Sequence, residues 1–235
     1  MKKAVIICGG LGTRLRPVTY KIPKPMIKIG KKPLLEHLVF LCKKHYIEQI
    51  YLAVFYLPEV IINYFGDGKK WGLDIKISIE KKPLGSIGPL SLLKKKLGSA
   101  FFVLSGDAIT NVDLTKMSKF HKKKRAFGTF LVHTTDHPYD SDLVEFDENF
   151  KIKRFFRPKK GNHFEPISKS GTHIFEPEVL KFIPENKKYS LEKDLIPDLL
   201  KKGKNLYAYY SNAYSKDIGT PERLQKARQD FKKIS

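Results

Sequence analysis

An alternation of strand-like and helix-like segments in the first half of the chain constrains its fold more than any other feature. Ala4–Cys8 (AVIIC) and Phe101–Leu104 (FFVL) are continuous apolar runs, typical of strands that are buried on both faces. Gln49–Phe55 reads as another buried strand, and Leu34–His45 repeats apolar residues at helical spacing. This order predicts an α/β, Rossmann-like fold with a mixed, mostly parallel central sheet flanked by helices.

The remaining segments extend the pattern, and the second half is richer in strands. We predict further strands at Asp74–Glu80, Ala126–His133, Leu143–Phe146, Ile152–Phe156, Thr172–Phe175 and Leu206–Tyr210, and helices at Pro58–Phe65, Ser91–Leu97, Pro177–Ile183, Ser190–Lys202 and Pro221–Phe231. Without a repeat or a flexible linker, we expect one domain over residues 1–235, with a β-rich subregion in residues 126–235 packed on residues 1–125.

The net charge of +21 over 235 residues comes mostly from lysine, in runs such as Lys122–Arg125. Arginine, the side chain favoured for bidentate contacts with phosphates and base edges, is scarce, so we interpret the surface as solvated and expect no nucleic-acid partner. No apolar run approaches the ~20 residues that span a bilayer, so we expect a cytoplasmic protein without a membrane partner. Cys8 and Cys42 fit no metal or disulfide spacing.

The segment Ile7–Met26 (ICGGLGTRLRPVTYKIPKPM) follows the first predicted strand and has the chemistry of a phosphate-binding loop. A P-loop is excluded because no Gly-Lys pair stands at its offset, and a dinucleotide fingerprint is excluded because Leu15 occupies its last glycine position. Glycines still let backbone N–H groups form an anion-binding nest, and Arg14, Arg16 and Lys24 supply positive charge.

Five segments together resemble the sugar-1-phosphate nucleotidyltransferases, also called nucleotide-sugar pyrophosphorylases. They are GGLGTRLRPVT with PKPM, PLGSIGPL (Pro83–Leu90), SGDAITNVDL (Ser105–Leu114), SLEKDLIPDLL (Ser190–Leu200) and KDIGTPERLQKA (Lys216–Ala227). The resemblance implies a glycosyltransferase-A-like form of the predicted fold, with residues 1–125 binding the nucleotide and residues 126–235 the sugar. It also implies a reaction in which a sugar 1-phosphate attacks the α-phosphorus of a nucleoside triphosphate.

The same resemblance assigns roles to particular residues. It implies that Asp107 and Asp217 hold Mg²⁺, and that Arg14 and Lys24 join them as catalytic residues. The nucleotide-binding residues that it implies are Cys8, Gly9, Gly10, Leu11, Gly12, Thr13, Arg14, Glu80, Pro83, Gly85, Ser86 and Gly106. Taken alone, each aspartate also fits a turn residue or a helix cap, and Asp113 fits a cap for the helix that begins at Leu114.

The sugar side departs from the pattern of the family. Ser141–Leu143 replaces a Tyr-Gly motif, RFFRP replaces the usual Glu-Lys-Pro, and Lys169–Gly171 (KSG) replaces Asn-Ala-Gly. We therefore assign the sugar pocket to Asp142, Glu145, Arg157, Lys169 and Gly171 as a hypothesis, with Lys159 as an alternative to Arg157 for the phosphate.

The segments DSDLVE and IGTPERLQKARQDF are most similar in sequence to those of the mannose-1-phosphate and manno-heptose-1-phosphate guanylyltransferases. This similarity implies that the nucleotide is GTP and that the product is a GDP-sugar precursor of lipopolysaccharide or capsule. Some members carry a sugar phosphatase domain or act with one, and a homo-oligomer is compatible with the sequence. Specificity of the glucose-1-phosphate thymidylyl- or uridylyltransferase type stays open, as does a non-catalytic subunit that senses nucleotide sugars.

Overall fold

The computed structural model describes residues 1–159, 161 and 163–234 of the chain. Its strands are β1 (Lys3–Ile7), β2 (Lys28–Ile29), β3 (Lys32–Pro33), β4 (Gln49–Val54), β5 (Asp74–Ile79), β6 (Phe101–Ser105), β7 (Ala108–Thr110), β8 (Gly128–Thr134), β9 (Leu143–Phe146), β10 (Ile152–Phe156), β11 (Ile167–Phe175), β12 (Leu206–Tyr210) and β13 (Ser215–Asp217). Its α-helices are α1 (Leu34–Lys44), α2 (Pro58–Phe65), α3 (Leu114–Lys123), α4 (Ile196–Lys201) and α5 (Pro221–Ile234).

The central sheet has the order β10-β9-β11-β6-β1-β4-β5, and β8 joins it between β11 and β12. The strands β6, β1, β4 and β5 run parallel, as the alternation of strands and helices requires. The long strand β11 pairs antiparallel with β6 and β8, so the second half of the chain extends the same sheet. This mixed sheet, parallel through its centre and flanked by helices, confirms the predicted fold class.

Both faces of the sheet are covered, because alternate residues of each strand point to opposite sides. In β1, Ala4 and Ile6 pack in a cluster with α1, α2, α3 and α5, whereas Val5 packs in a second cluster with α4 and the segments 88–93 and 177–182. Every one of these three side chains is fully buried. A continuous apolar run at this place in the sequence is therefore explained by burial on two faces.

Three predicted helices take other forms. Residues 88–93 form a 3₁₀ segment rather than the helix expected over 91–97, with Pro89 in its first turn, and residues 177–182 are also 3₁₀. The helix expected over 190–202 divides into a π-helical turn, Leu191–Leu195, and α4. Pro197 is the second residue of α4, just after the π-helical turn.

Asp113 caps helix α3, as the local sequence predicts. Its carboxylate accepts a hydrogen bond of 2.8 Å from the backbone N–H of Lys116. A capped first turn accounts for this aspartate without any role in a metal site. Over the described ranges, the chain contains no helix of the length and hydropathy needed to cross a membrane.

Candidate active site

A cleft of about 520 Å³ opens at the carboxyl ends of β1 and β6, where open parallel sheets bind their ligands. The loop after β1 forms one wall, and the residues after β6 form the floor. All twelve residues predicted to bind the nucleotide line this cleft, together with the predicted catalytic residues Lys24 and Asp107: Cys8, Gly9, Gly10, Leu11, Gly12, Thr13, Arg14, Glu80, Pro83, Gly85, Ser86 and Gly106.

The glycine loop is held in a shape that leaves its amides free. Gly12 has φ +63°, and a Cβ there would lie 2.8 Å from Cγ2 of Thr19. The Thr19 hydroxyl donates a hydrogen bond of 2.8 Å to the Gly12 carbonyl, which fixes the turn. Within the residues that the structure describes, the N–H groups of Gly9–Thr13 donate to no protein group. Successive free amides at a strand end suit an anion.

Lys24 and Asp107 form an ion pair at the floor of the cleft. Nζ of Lys24 lies 2.6 Å from Oδ2 of Asp107, and the Ser105 hydroxyl donates to Oδ1 at 2.5 Å. Burial raises the pKa of Asp107, but Lys24 and Ser105 outweigh it and hold the pKa below its ordinary value. The carboxylate is therefore ionised at neutral pH, beside a buried cation.

Asp217 is brought next to Asp107 by two short strands that sequence periodicity did not reveal. β13 pairs antiparallel with β7, which places Asp217 opposite Ala108, and the N–H of Ile218 donates to the Asp107 carbonyl at 2.9 Å. The Asp217 carboxylate accepts hydrogen bonds from the Gly219 N–H at 2.8 Å and from Arg223, which lies 3.2 Å from each oxygen. Two residues that are 110 positions apart in the sequence thus meet at one edge.

Arg223 is a site residue that the sequence reasoning missed. It belongs to the first turns of α5 and pairs with Asp140 as well as Asp217. The signal for it was the arginine in GTPER, six residues after Asp217. Arg14 also approaches this corner, because a Cβ on Gly219 would lie 3.1 Å from the Nη2 atom of Arg14.

Glu80 follows β5 and lines the cleft beside the glycine loop. One carboxylate oxygen accepts the Leu84 N–H at 2.9 Å, and the other is enclosed without a hydrogen-bond partner. Burial raises the pKa of this carboxyl group above its ordinary value. Gly85 follows with φ +86°, and a Cβ there would lie 2.6 Å from the Tyr189 carbonyl oxygen, so the close approach requires glycine.

A second group of polar side chains lines the cleft beside Gly171. Lys169 pairs with Glu192 at 2.7 Å, and although burial raises the pKa of Glu192, the Lys169 ammonium lowers it to about 2. His173 packs against Phe130 and Phe175, and its buried Nδ1 atom has no hydrogen-bond partner. Burial lowers the pKa of His173 to about 3, so its ring is neutral at pH 7.

Sequence reasoning did not assign Glu192 or His173 to the site. Glu192 was visible in the segment SLEKDL, but only the fold brings it to Lys169. His173 follows Lys169 and Gly171 at alternate positions of β11, and a period of two residues was the only signal for it.

Three of the predicted sugar residues lie outside the lining of this cleft. Asp142 pairs with Arg157 at 2.9 Å, and Glu145 pairs with Arg154 at 2.7 Å. These pairs sit on or beside the edge strand β10 and its neighbour β9. Lys169 and Gly171 do line the cleft, and they also border a neighbouring polar hollow that includes Asp217.

The Cys8 thiol lies in the cleft wall but is almost fully buried. Burial and the nearby carboxylates of Asp107 and Glu80 raise its pKa. A thiol that stays protonated is a poor nucleophile, so Cys8 acts as an apolar wall residue. Cys42 is buried as well, and both cysteines are free.

The chain resembles known proteins over nearly its whole length. The family described as Nucleotidyl transferase matches residues 3–234. A UTP–glucose-1-phosphate uridylyltransferase from Synechocystis is 37% identical over 96% of this chain and 62% of its own length. A mannose-1-phosphate guanylyltransferase from Mycobacterium tuberculosis is 33% identical over 97% of this chain and 64% of its own length. The chain therefore spans somewhat less than two thirds of these curated relatives.

Among solved structures, HddC from Yersinia pseudotuberculosis superposes with a TM-score of 0.83 at 29% identity, covering 98% of this chain and 100% of that one. A second structure of HddC is complexed with GMP-PN, with a TM-score of 0.82. The similarity extends over the sheet, the glycine loop and the C-terminal helix, because it covers nearly all of both chains.

Proposed function

The chain belongs to the nucleotidyl transferase family, and from that premise we propose that it transfers a nucleotidyl group from GTP to a sugar 1-phosphate. The products are a GDP-sugar and pyrophosphate. The observation that carries this proposal is the ion pair of buried Lys24 with the partly exposed Asp107, in a cleft that the free amides of the glycine loop also line. Asp217 is paired with the residue next to Asp107. A cation and carboxylates at the end of a phosphate nest suit chemistry at an α-phosphate.

In this reaction the protein has to position the two substrates and stabilise negative charge, and it forms no covalent intermediate. An oxygen of the sugar 1-phosphate forms a bond to the α-phosphorus, and the bond from that phosphorus to the bridging oxygen of pyrophosphate breaks. The leaving pyrophosphate takes the electron pair, and no proton has to be removed from the attacking phosphate. The amides of Gly9–Thr13 and the Arg14 guanidinium would bind the β- and γ-phosphates, and Lys24 would stabilise the added charge on the α-phosphoryl oxygens.

The two aspartates fit Mg²⁺. This ion prefers oxygen ligands and commonly takes one or two carboxylates together with phosphate oxygens and water. Asp107 and Asp217 supply two carboxylates from neighbouring backbone positions, and in this structure each is paired with a cation, Lys24 and Arg223 respectively. When bound there, Mg²⁺ would neutralise and orient the phosphate oxygens.

The sugar would lie at the end of the cleft that Lys169, Glu192 and His173 form. Its hydroxyl groups need donors and acceptors together, and this group offers an ammonium, a carboxylate and a neutral imidazole. Mannose 1-phosphate and D-glycero-D-manno-heptose 1-phosphate are the sugars that we propose. Similarity to mannose-1-phosphate guanylyltransferases supports mannose 1-phosphate. The structure of HddC in complex with GMP-PN supports a guanosine nucleotide.

A second specificity is favoured by one specific comparison. The uridylyltransferase from Synechocystis is 37% identical, so UTP with glucose 1-phosphate is the alternative pair. If the protein used UTP in preference to GTP, the reaction would still be nucleotidyl transfer, and only the substrates would differ.

A matrix of nucleoside triphosphates against sugar 1-phosphates tests the proposal, with pyrophosphate release as the readout. We expect Mg²⁺-dependent turnover with GTP and a manno-configured sugar, and the loss of at least about 99% of it in Asp107→Asn, as when one charge-stabilising group is removed. Lys119→Gln, in the exposed face of α3, is the control and should keep full activity. Nucleotide binding without turnover of any pair would instead indicate a sensor subunit.

A further inference from the structure

Arg223 joins the metal corner, formed by Asp107 and Asp217, to a turn on the sugar side of the protein. This sugar-side turn comprises residues 135–141, between β8 and β9. The Nη1 atom of Arg223 lies 3.2 Å from each carboxylate oxygen of Asp217, and its Nη2 atom donates to Asp140 in the turn. Among the residues that the structure describes, Asp140 has no other ion-pair partner. One guanidinium is thus shared between a proposed metal ligand and the turn.

A second cation from the same segment reaches the other end of the turn. Lys216 directly precedes Asp217 in β13, and its Nζ atom lies 3.8 Å from a carboxylate oxygen of Asp136. This distance is longer than a hydrogen bond, so Arg223 supplies the stronger of the two ties. Both ties begin at residues that are close to Asp217 in sequence, so a change of charge at Asp217 acts on both.

Hydrogen bonds within the sugar-side turn make it move as a unit. The Ser141 hydroxyl donates to the His137 carbonyl at 3.0 Å. Both residues line the polar hollow together with Lys169 and Gly171, and these two also line the cleft. A change in how firmly Asp140 is held therefore reaches the side chains at the sugar end of the cleft.

The shared guanidinium responds to charge at Asp217. The Arg223 side chain is only 21% exposed, so its choice between two carboxylates is not fully screened by water. A divalent cation on Asp217 would neutralise that carboxylate and repel the guanidinium, since both carry positive charge. Arg223 would then pair with Asp140 alone, and the turn would be held more firmly.

We propose that Arg223 is a positioning residue that makes the binding of Mg²⁺ at Asp217 and of the sugar 1-phosphate beside the sugar-side turn cooperative. This inference rests on the proposed function and adds a link between two of its sites. Once Asp217 binds Mg²⁺, Arg223 holds the turn through Asp140, and the turn completes the sugar end of the cleft. Such a link is reciprocal, so the sugar 1-phosphate strengthens Mg²⁺ binding by the same factor.

Hydrogen–deuterium exchange of the turn tests this link without any substrate. In the wild-type protein, Mg²⁺ should slow the exchange of backbone amides in residues 135–141 by about threefold, within the range of one partly exposed ion pair. Asp140→Asn and Arg223→Gln should abolish this response, and Arg223→Lys, which keeps the charge, should restore part of it. Glu148→Gln, at an exposed carboxylate between β9 and β10, is the matched control and should respond as the wild type does.

Steady-state kinetics separate positioning from a general loss of structure. Asp140→Asn should raise the KM for mannose 1-phosphate by about threefold and leave the KM for GTP unchanged, because only the sugar side loses its tie. Asp140 is 65% exposed, so the variant should fold, which its urea unfolding curve checks.

Two results would overturn the inference. One is turn exchange that does not change when Mg²⁺ is added to the wild-type protein, and the other is an equal response in Asp140→Asn. If no pair of substrates is turned over, the proposed reaction fails separately, because the exchange experiment contains no substrate and still decides whether Arg223 links the metal corner to the turn.

Discussion

The Lys24–Asp107 ion pair should respond asymmetrically when one partner is removed. The Lys24 side chain is 8% exposed and the Asp107 side chain is 38% exposed. Asp107→Asn leaves a buried ammonium without an anion, whereas Lys24→Met leaves a carboxylate that water and the Ser105 hydroxyl still reach. The less exposed charge is the one that suffers more when its partner is lost.

The expected magnitudes follow from this burial. Asp107→Asn should lower the free energy of unfolding by about 3 kcal/mol, at the low end for a broken buried pair, because Asn still accepts a hydrogen bond. Lys24→Met should lower the free energy of unfolding by about 1 kcal/mol, because the remaining Asp107 carboxylate is partly exposed to water. The first change corresponds to a melting temperature that is about 6–12 °C lower for a chain of this size.

Urea unfolding at pH 7 with a chelator and without nucleotide measures both values. The double variant should lie closer to the wild type than the sum of the single changes, since it leaves no unpaired charge. The pKa of Asp107 is lowered in the fold, so the pair's stabilisation is complete above the unfolded pKa of about 3.9 and disappears as pH falls through the folded value. A Lys24→Met variant that is less stable than Asp107→Asn, or strictly additive changes, would refute the reasoning.

Three further predictions concern the rest of the cleft. Gly12→Ala should lower stability by about 1–3 kcal/mol and weaken nucleotide binding, because φ is +63° and Thr19 lies 2.8 Å from the new Cβ. Gly98→Ala is the control outside the cleft, with nothing within 4 Å of the new Cβ, and should match the wild type in both urea unfolding and binding. His173 has a folded pKa of about 3 and an unfolded pKa of about 6.5, so it lowers the free energy of unfolding as pH falls below 6.5, by up to about 1.4 kcal/mol per pH unit. His173→Phe should therefore flatten the dependence of the free energy of unfolding on pH between pH 4 and 6.5. An unchanged slope would contradict the assigned pKa. In a magnesium titration, Arg223→Gln should lower the Mg²⁺ concentration for half-maximal activity by up to about fivefold, because it removes a cation that competes for Asp217. A higher Mg²⁺ requirement would show instead that Arg223 orients the Asp217 carboxylate.

The sequence specified most of the sheet because its strands carry strong local signals. The apolar runs of β1 and β6 predicted their burial on two faces, and their carboxyl ends located the glycine loop and Asp107 at one edge. The motif segments also identified the family, which the comparison over residues 3–234 confirms. These features are local in the chain, so a pattern of neighbouring residues is enough to reveal them.

Tertiary structure alone decided which charges meet. The short strands β7 and β13 have no periodicity to detect, yet their pairing places Asp217 beside Asp107 and lets Arg223 reach it. The ion pair of Lys169 with Glu192 and the unpaired oxygen of Glu80 likewise depend on backbone segments that are distant in sequence. Contacts of this kind arise from the packing of the whole sheet, and burial then sets the pKa values and partners that give the cleft its chemistry.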